Sequence, residues 1–321
     1  MELSLKVMSV EQATPRIRVY SMANADGGPL PAFTAGAHLE FKLPVRTGRI
    51  EKRSYSIASH PADRDRYLFG VLYEANSTGG SSYMHELVRE GTVLEAVGPT
   101  NNFPLAEEAV GEHVLIAGGI GITPLLSMAR VLAAGYARYE LHYCARTAED
   151  MAFREEVAQV CGDAAHLYFD SGDASRGLNV HQLLQSFQPG RHVYVCGPRG
   201  LIEAVRRVCV DAGWPEDHVH YEFFGAEVDT SGGEAIEVVL AQSQVVLTIE
   251  PGQSILDAIL DAGVDADFDC KRGECGVCVA KVVEGTPVHR DVYLSARERA
   301  AGDCMCTCVS WAESKKLVLD L

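Results

Sequence analysis

The sequence predicts a multidomain chain in which an antiparallel β-barrel, a doubly wound α/β domain and a small α+β domain follow one another. The first hundred residues carry short apolar alternations between turn signals, a pattern typical of antiparallel strands. From His113 onward, apolar strands alternate with helical segments, as in a parallel sheet. The C-terminal part holds six of the ten cysteines. The predicted division is 1–106 for the barrel, 107–226 for the α/β domain, 227–235 for a linker and 236–321 for the third domain.

Composition and charge narrow the class of protein. Hydrophobic residues make up 47% of the 321 residues, which excludes a disordered chain. Lysine and arginine total 28 against 44 acidic residues, so the formal net charge is −16. Such a surface repels nucleic acid and anionic membranes and favours a partner with a basic patch. The chain shows no signal-peptide layout and no apolar run that spans a bilayer comfortably, so we expect a cytoplasmic protein with reduced thiols.

The predicted barrel is built from four strands and one helix. Apolar alternation predicts strands at residues 3–7, 38–43, 67–72 and 93–97. Within residues 82–89, Tyr83 and Leu87 share one face, which predicts a helix.

The predicted α/β domain alternates four strands with four helices. The strands lie at 113–117, 139–144, 166–169 and 192–196. The helices lie at 124–134, 152–160, 180–187 and 201–212. After the small, polar linker, the third domain is predicted to contain strands at 236–240 and 245–249, a helix at 255–262 and a terminal strand at 317–321.

The spacing of four cysteines predicts a metal centre in the third domain. Cys270, Cys275 and Cys278 follow the pattern C-x4-C-x2-C, and Cys308 follows after 29 further residues. This is the ligand spacing of a plant-type [2Fe–2S] cluster, in which four thiolates hold two iron ions. Glycines within the first segment let the backbone approach the sulfurs and aim N–H groups at them.

Two alternatives remain open from the spacing alone. A structural zinc could use Cys275 and Cys278 with two of the later cysteines, although the second C-x2-C pair of a zinc ribbon is missing. Cys304 or Cys306 could also replace Cys308 as the fourth ligand.

Two turns at the ends of predicted parallel strands indicate a nucleotide site. Ala117-Gly-Gly-Ile-Gly-Ile-Thr-Pro follows a buried strand and opens a helix, so a pyrophosphate can approach the backbone and the helix N-terminus. Thr123 is predicted to cap that helix and Pro124 to lie in its first turn. A second turn, Cys196-Gly-Pro, ends the fourth strand. Because both turns lie at the carboxyl edge of one sheet, they frame a crevice of the kind that binds ligands.

A polar segment of the predicted barrel can hold a ring system that carries a phosphate. In Arg53-Ser-Tyr-Ser, the guanidinium can clamp a phosphate, Tyr55 offers a flat face, and Ser56 offers a hydroxyl and an N–H group. Downstream, Thr78-Gly-Gly-Ser-Ser opens the predicted helix, whose N–H groups offer a second place for a phosphate.

The three motifs together, in this order, resemble the phthalate dioxygenase reductase family over essentially the whole chain. The resemblance implies FMN in the barrel, NADH on the α/β sheet and a [2Fe–2S] cluster in a plant-type ferredoxin domain of the β-grasp fold. Ser59 completes a pattern shared with FAD-binding relatives, so FAD stays the alternative flavin. Family members often carry arginine where this chain has Thr78, which removes one phosphate contact.

The resemblance also implies which residues bind each group. For the flavin these are Arg53, Ser54, Tyr55, Ser56, Gly79, Gly80, Ser81 and Ser82, with Phe224 near the ring. For NADH they are Gly118, Gly119, Gly121, Thr123, Pro124, Arg146, Asp173, Cys196, Gly197 and Pro198. Asp173 would accept hydrogen bonds from ribose hydroxyls and disfavour a 2′-phosphate. The implied cluster ligands are Cys270, Cys275, Cys278 and Cys308.

The family implies an NADH-dependent electron-transfer reductase that supplies a Rieske-type oxygenase. Hydride transfer from NADH to FMN, followed by single-electron transfer through the cluster, is chemistry of the cofactors, so we expect no catalytic acid–base pair. The predicted ferredoxin domain carries fourteen acidic and eight basic residues, which favours a basic docking patch on the partner. Two other hypotheses are a stand-alone flavin or ferric reductase and a non-catalytic redox sensor.

Overall fold

A computed structural model of the chain describes residues 1–45, 50–74, 79–106, 111–224, 234–268, 271, 273, 276–291 and 293–321. The chain divides into two units, Met1–Phe224 and Gly225–Leu321. The predicted boundary between barrel and α/β domain, at residues 106 and 107, adjoins a segment that is not described. Most of the predicted linker, 227–235, also lies outside the described residues. The division into three domains therefore stays a prediction at the level of its boundaries.

The first sheet is antiparallel and curls back on itself. Its elements are β1 (Glu2–Gln12), β2 (Ile17–Asn24), β3 (His38–Pro44), β4 (Ile50–Ser56), β5 (Tyr67–Leu72), α1 (Gly80–Leu87) and β6 (Val93–Thr100). The strand order is β4-β3-β6-β1-β2-β5, and Ile57, just beyond β4, bridges to Phe69 of β5. The outer strands thus meet and enclose an apolar core, as in a barrel. All four predicted strands lie within observed ones, whereas β2 and β4 are not among the predicted strands.

The second sheet is parallel with helices between its strands. Its elements are β7 (Glu112–Gly118), α2 (Ile122–Ala134), β8 (Arg138–Ala145), α3 (Arg154–Cys161), β9 (Ala165–Phe169), α4 (Val180–Leu184), β10 (His192–Gly197), α5 (Arg199–Asp211) and β11 (Val219–Phe223). The order β11-β10-β7-β8-β9 places β7 in the centre, so the chain winds outward in both directions. The predicted alternation is confirmed, and β11 adds a fifth strand that was not predicted.

The two sheets of the first unit share one core. Ala58 and Phe103 from the barrel pack with residues of β7 and α2 in a single apolar cluster. The Ser127 hydroxyl of α2 donates to the Ser59 carbonyl oxygen at 2.8 Å, and the Arg130 Nε donates to the Ala58 carbonyl oxygen at 3.2 Å. Both helix side chains bind the segment that follows β4, so the barrel and the α/β sheet are fixed relative to each other.

The second unit is a mixed sheet crossed by a helix. Its elements are β12 (Ile236–Leu240), β13 (Val245–Ile249), α6 (Ile255–Asp261), β14 (Val279–Glu284), β15 (Pro287–Val288), α7 (Ala296–Ala301), β16 (Cys304–Cys306), β17 (Trp311–Ala312) and β18 (Lys316–Leu319). In the order β13-β12-β18-β14-β16, β12 and β18 run parallel. Ile255 and Ile259 of α6 pack on this sheet. The architecture is the predicted α+β ferredoxin fold, to which α7 and its Ser295–Glu298 capping box are added.

Among the described residues, no helix combines the length and the apolar character that crossing a membrane requires.

Aromatic rings stack on one face of the α/β sheet near the start of its strands. The His192 ring stacks on His218 with centroids 4.3 Å apart, and Tyr194 stacks on His220 at 4.5 Å. His192 Nδ1 lies 3.1 Å from His220 Nε2. Burial lowers the pKa of His113, and burial together with the neighbouring histidines lowers the pKa of His220 to about 4. The imidazoles of His113 and His220 are therefore stable in their neutral form in the folded protein.

We predict that the first unit loses stability as the pH falls from 7 to about 5. The unfolded chain takes up protons near the ordinary histidine pKa, whereas folded His220 does not until about pH 4, so the unfolded state binds more protons within this window. Thermal unfolding midpoints at the two pH values measure the loss. His220→Asn should show a smaller drop between the two pH values. The control His181→Asn, at an exposed position, should show the same fall in unfolding midpoint as the original protein. An equal fall in all three proteins would contradict the prediction.

Candidate functional site

Arg53 lies against the first turn of α1. A side-chain carbon added at Gly80 would lie 2.7 Å from Arg53 Cγ and 2.9 Å from its Nε, so the arginine occupies the space that the glycine leaves open. Its Nη1 is 3.0 Å from Glu51 Oε2 and donates to the Lys52 carbonyl oxygen at 2.7 Å. The residue at the start of α1 is Gly79, which has no side chain to cap the helix. A guanidinium beside such a helix start is an arrangement suited to a phosphate.

The other residues predicted to bind the flavin phosphate lie at the start of α1 and on β4. Gly79 precedes α1 with φ 117°, a backbone conformation that favours glycine. Ser81 is buried, and its hydroxyl accepts a hydrogen bond from the Glu74 N–H group at 3.2 Å. Ser82 lies in the first turn of α1, and Ser54 follows Arg53 on β4. The structure thus brings the arginine, the two glycines and the serines together, while Thr78 lies outside the described residues.

Tyr55 carries a buried polar atom without a partner. Its hydroxyl oxygen is inaccessible to solvent and has no hydrogen-bond partner among the described residues. The ring packs on Phe41 with centroids 5.6 Å apart, and burial raises the pKa of the phenol above its ordinary value. Ser56 beside it is buried. Because buried hydroxyls are normally hydrogen-bonded, the orphaned one fits a site that a polar ring system completes.

The two glycine turns of the α/β sheet touch each other. A side-chain carbon at Gly121 would overlap the Cys196 carbonyl oxygen, and one at Gly118 would lie 2.6 Å from Pro198 Cδ. At Gly119, by contrast, φ is +55° and an added carbon would meet no described atom within 4 Å. The carboxyl edge therefore has tightly packed turns with one open backbone position. That geometry fits the approach of a pyrophosphate to bare backbone.

Thr123 does not cap α2 as the sequence predicted. A 3-10 turn, Gly119–Gly121, runs directly into the helix, and the residue at the cap is Gly121. Thr123 lies within the first turn, and its buried hydroxyl donates to the Ile120 carbonyl oxygen at 3.1 Å. The glycine turn replaces the cap, because its tight backbone already leads into helical geometry. Pro124 lies in the first turn as predicted.

The remaining predicted nucleotide residues lie at or beside the carboxyl ends of the strands. The Arg146 carbonyl oxygen, just after β8, accepts a hydrogen bond from the Ser171 N–H group at 2.9 Å. Asp173 uses Oδ1 to accept bonds from the Ser175 N–H group and hydroxyl, which lower the pKa of its carboxyl. Cys196 is fully buried in β10, and Phe224 follows β11 half-buried against the core. Asp173 thus stays ionised and holds its own loop.

Two of the predicted cluster ligands meet in the second unit. Cys278 Sγ and Cys308 Sγ are 3.1 Å apart, and both residues are buried. Two thiolates on one tetrahedral metal ion with bonds of about 2.3 Å would lie roughly 3.8 Å apart, so the pair fits a shared ion after a small separation. Hydrogen bonds from the Cys306 and Cys308 thiols hold the pKa of Cys278 well below its ordinary range. Cys270 and Cys275 lie outside the described residues.

A buried carboxylate that the sequence did not reveal holds the neighbouring backbone. The Asp291 side chain is fully buried, and its oxygens accept bonds from the Leu294 N–H group at 2.9 Å and the Ser310 hydroxyl at 3.3 Å. The Arg299 Nη2 lies 3.4 Å from Oδ2 and donates to the Asp291 carbonyl oxygen at 2.8 Å. A side-chain carbon at Gly273, between the predicted ligands, would lie 2.9 Å from Asp291 Cα. Asp291 therefore ties α7, the segment after Cys308 and the cysteine loop together.

Comparison with known proteins agrees with this geometry. The model of the 2Fe-2S iron-sulfur cluster binding domain matches residues 238–313, and that of the oxidoreductase NAD-binding domain matches residues 115–207. The chain is 39% identical to the tert-butanol monooxygenase / tert-amyl alcohol desaturase reductase subunit of Aquincola tertiaricarbonis, over 99% of this chain and 96% of that protein. It is equally similar, at 39%, to the carnitine monooxygenase reductase subunit of Acinetobacter baumannii, over 98% and 96%.

A solved structure of phthalate dioxygenase reductase superposes with a TM-score of 0.78 at 35% identity, covering 100% of this chain and 98% of that one. That protein has a modular structure for electron transfer from pyridine nucleotides to [2Fe–2S]. This chain belongs to the phthalate dioxygenase reductase family. As a member it is an oxidoreductase with an NAD-binding domain and a [2Fe–2S] domain, so the predicted family, fold class and cluster type are confirmed and the zinc alternative is set aside.

We predict that Asp291→Asn destabilises the second unit by about 1–2 kcal/mol, because the neutral amide accepts weaker hydrogen bonds from the Leu294 N–H group and the Ser310 hydroxyl and loses the attraction to partly exposed Arg299. The urea concentration at which the visible absorption of the iron–sulfur protein disappears measures the loss. Glu284→Gln is the matched control, since Glu284 forms an exposed ion pair with Lys316 at 3.7 Å. The control should change stability by less than about 0.5 kcal/mol. Equal effects of the two substitutions would show that burial of Asp291 is irrelevant.

Proposed function

We propose that this chain is the NADH-dependent reductase component of a two-component oxygenase system, with a Rieske-type non-haem iron oxygenase as its partner. The observation that carries the proposal is that one chain combines a glycine edge suited to a dinucleotide with a buried thiol pair 3.1 Å apart. Both curated relatives described above are reductase subunits of monooxygenases and match nearly their full lengths. When bound, a flavin and a [2Fe–2S] cluster supply the conversion of a two-electron donor into single electrons.

The first unit supplies binding and orientation for FMN. We assign the phosphate to Arg53 and the start of α1, comprising Gly79, Gly80, Ser81 and Ser82. We assign the ring edge to Ser54, Tyr55 and Ser56, where the unpartnered hydroxyl of Tyr55 donates a hydrogen bond. Arg53 at the start of α1 can bind a single phosphate, which favours FMN over FAD. Phe224 lies at the end of β11 and borders the same ligand in this assignment.

The carboxyl edge of the α/β sheet receives NADH. Gly118, Gly119 and Gly121 leave room for the pyrophosphate, with Thr123 and Pro124 shaping the helix start behind them. Cys196, Gly197 and Pro198 border the nicotinamide, and their close packing against the first turn excludes water from the transfer position. Arg146 and the ionised Asp173 flank the ribose at the ends of β8 and β9.

The second unit holds the cluster and meets the partner. Cys270, Cys275, Cys278 and Cys308 supply the four thiolates in this assignment. The net negative charge of residues 236–321 favours a basic patch on the oxygenase. We place the protein in the cytoplasm, because none of the eight cysteines that the structure describes forms a disulfide, as expected in a reducing compartment.

We predict that Cys308→Ser removes the cluster and oxygenase turnover but leaves NADH-dependent flavin reduction intact. The serine hydroxyl is a poor ligand for iron, whereas the flavin and NADH residues lie in the other unit. Iron analysis and stopped-flow flavin bleaching measure the two properties separately. Cys304→Ser is the matched control and should retain the cluster, since Cys304 is only half-buried.

Three results would contradict this assignment. Cluster loss in the control together with retention in Cys308→Ser would assign the fourth ligand differently. Loss of flavin reduction along with the cluster would argue against electron flow in two separable steps. Undiminished reduction of the native acceptor without a cluster would favour the stand-alone reductase instead.

We predict that Arg53→Gln weakens FMN binding by about tenfold or more, because it removes a charge-assisted contact of roughly 1.5–3 kcal/mol. Fluorescence titration of the flavin-free protein measures the dissociation constant, and mass analysis of the released flavin identifies it. Lys52→Gln is the matched control on the same strand, where Lys52 is exposed and 2.9 Å from Glu40. An unchanged affinity in Arg53→Gln, or an equal loss in the control, would contradict the assigned phosphate site.

A further inference from the structure

Outside the sites assigned above, two strands of the α/β sheet carry potential metal ligands on one face. Alternate residues of β8, namely Leu141, Tyr143 and Ala145, point into the core of the first unit. Glu140 and His142 therefore lie on the opposite face of the sheet. His142 is directly opposite His166 of β9, the edge strand. Within this Glu140–His142–His166 cluster, one ligand atom from each residue lies within 4.8 Å of the others.

The hydrogen bonds of His142 leave a position that a cation can occupy. Its Nδ1 is 3.0 Å from the Tyr168 hydroxyl, and its Nε2 is 3.3 Å from Glu140 Oε2. If Nδ1 donates to Tyr168, Nε2 and the carboxylate face each other as two acceptors, and only a proton or a metal ion between them satisfies both. Ligating histidines commonly donate their second ring nitrogen to such a partner.

The surroundings favour a neutral ring at this position. His142 is buried, and a buried imidazole is favoured in its neutral form, whose lone pair can bind a metal ion. The Nε of Arg191 lies 3.0 Å from Glu112 Oε2, so this arginine is paired with a carboxylate outside the cluster. Glu140 is half-buried and supplies the negative charge.

We propose that Glu140, His142 and His166 form a site for a divalent transition-metal ion of the zinc class. Two imidazoles and one carboxylate are ligands that Zn²⁺, Ni²⁺ and Cu²⁺ accept, with solvent completing the coordination. The His142 and His166 rings stack with centroids 4.9 Å apart and planes 21° apart, so His166 must rotate about its side-chain bonds to aim a nitrogen at the shared ion. Its place on the edge strand gives it room for that rotation. A bound ion would tie β9 to β8 and stabilise the first unit.

Zinc binding to the oxidised holoenzyme tests this site. Equilibrium dialysis against zinc chloride, with zinc and iron measured in each sample, should show one zinc ion per chain and unchanged iron. Glu140→Gln and His166→Ala each remove one ligand and should weaken zinc binding at least about tenfold. His181→Ala removes an exposed histidine of α4 and should bind zinc like the original protein. Zinc should also raise the thermal unfolding midpoint of the original protein and of His181→Ala, but not of His166→Ala.

Either of two results would overturn the proposal. One is the absence of a zinc equivalent in the original protein with its iron intact. The other is undiminished zinc affinity in both Glu140→Gln and His166→Ala, which would assign the ion to other histidines such as His192 and His220, 3.1 Å apart. Neither result affects the proposed electron-transfer function, because flavin reduction and cluster content are measured independently.

Discussion

Close contact of bare backbone at one edge of the α/β sheet is the constraint on which the first unit depends. The turns after β7 and β10 touch because Gly118 and Gly121 leave room for Pro198 and for the backbone of Cys196 and Gly197. Gly70 of β5 adds a third approach, since a side-chain carbon there would lie 2.8 Å from Ile120 Cδ1 and 2.9 Å from Thr123 Cγ2. The barrel therefore rests directly on the turn that we assign to the dinucleotide. The packing of the barrel on the α/β sheet and the proposed position of the dinucleotide both depend on glycines at these places.

Two tyrosines of the barrel differ in how their buried hydroxyl groups are satisfied. In the interior of the barrel, Tyr20 donates its hydroxyl proton to the Met84 carbonyl oxygen at 2.7 Å. Tyr55, on the neighbouring face, has an equally buried hydroxyl with no such partner among the described residues. Leaving a buried polar atom unpaired costs on the order of 1–3 kcal/mol, so a group that supplies the partner gains binding energy there. The contrast with Tyr20 supports the flavin site that we propose at Tyr55.

Features that are local in the sequence could be predicted, and those made by tertiary contacts could not. The cysteine spacing, the glycine turn and the alternation of strands and helices are each read within some forty residues, and the structure and relatives agree with them. β11 was not predicted because His220 and Glu222 interrupt the apolar pattern of a parallel strand. The role of Asp291 could not be predicted for a different reason. Its partners Arg299 and Ser310 are eight and nineteen residues away in the sequence, and only the fold brings them to one carboxylate.

The two units hold their ligand sites by opposite means. In the first, glycines at the turns and at Gly80 leave space, so the binding surface is backbone and the arginine beside it. In the second, side chains press on glycines: the Tyr293 ring fills the space beside Gly276, and Val309 and Asp291 fill that beside Gly273. A buried charge is costly unless donors surround it, and Asp291 has donors from α7, from its own turn and from the segment after Cys308. These contacts hold α7 and the segment after Cys308 around one carboxylate, against which Gly273 also packs, whereas in the first unit the assigned ligand surface is a gap in an already packed structure.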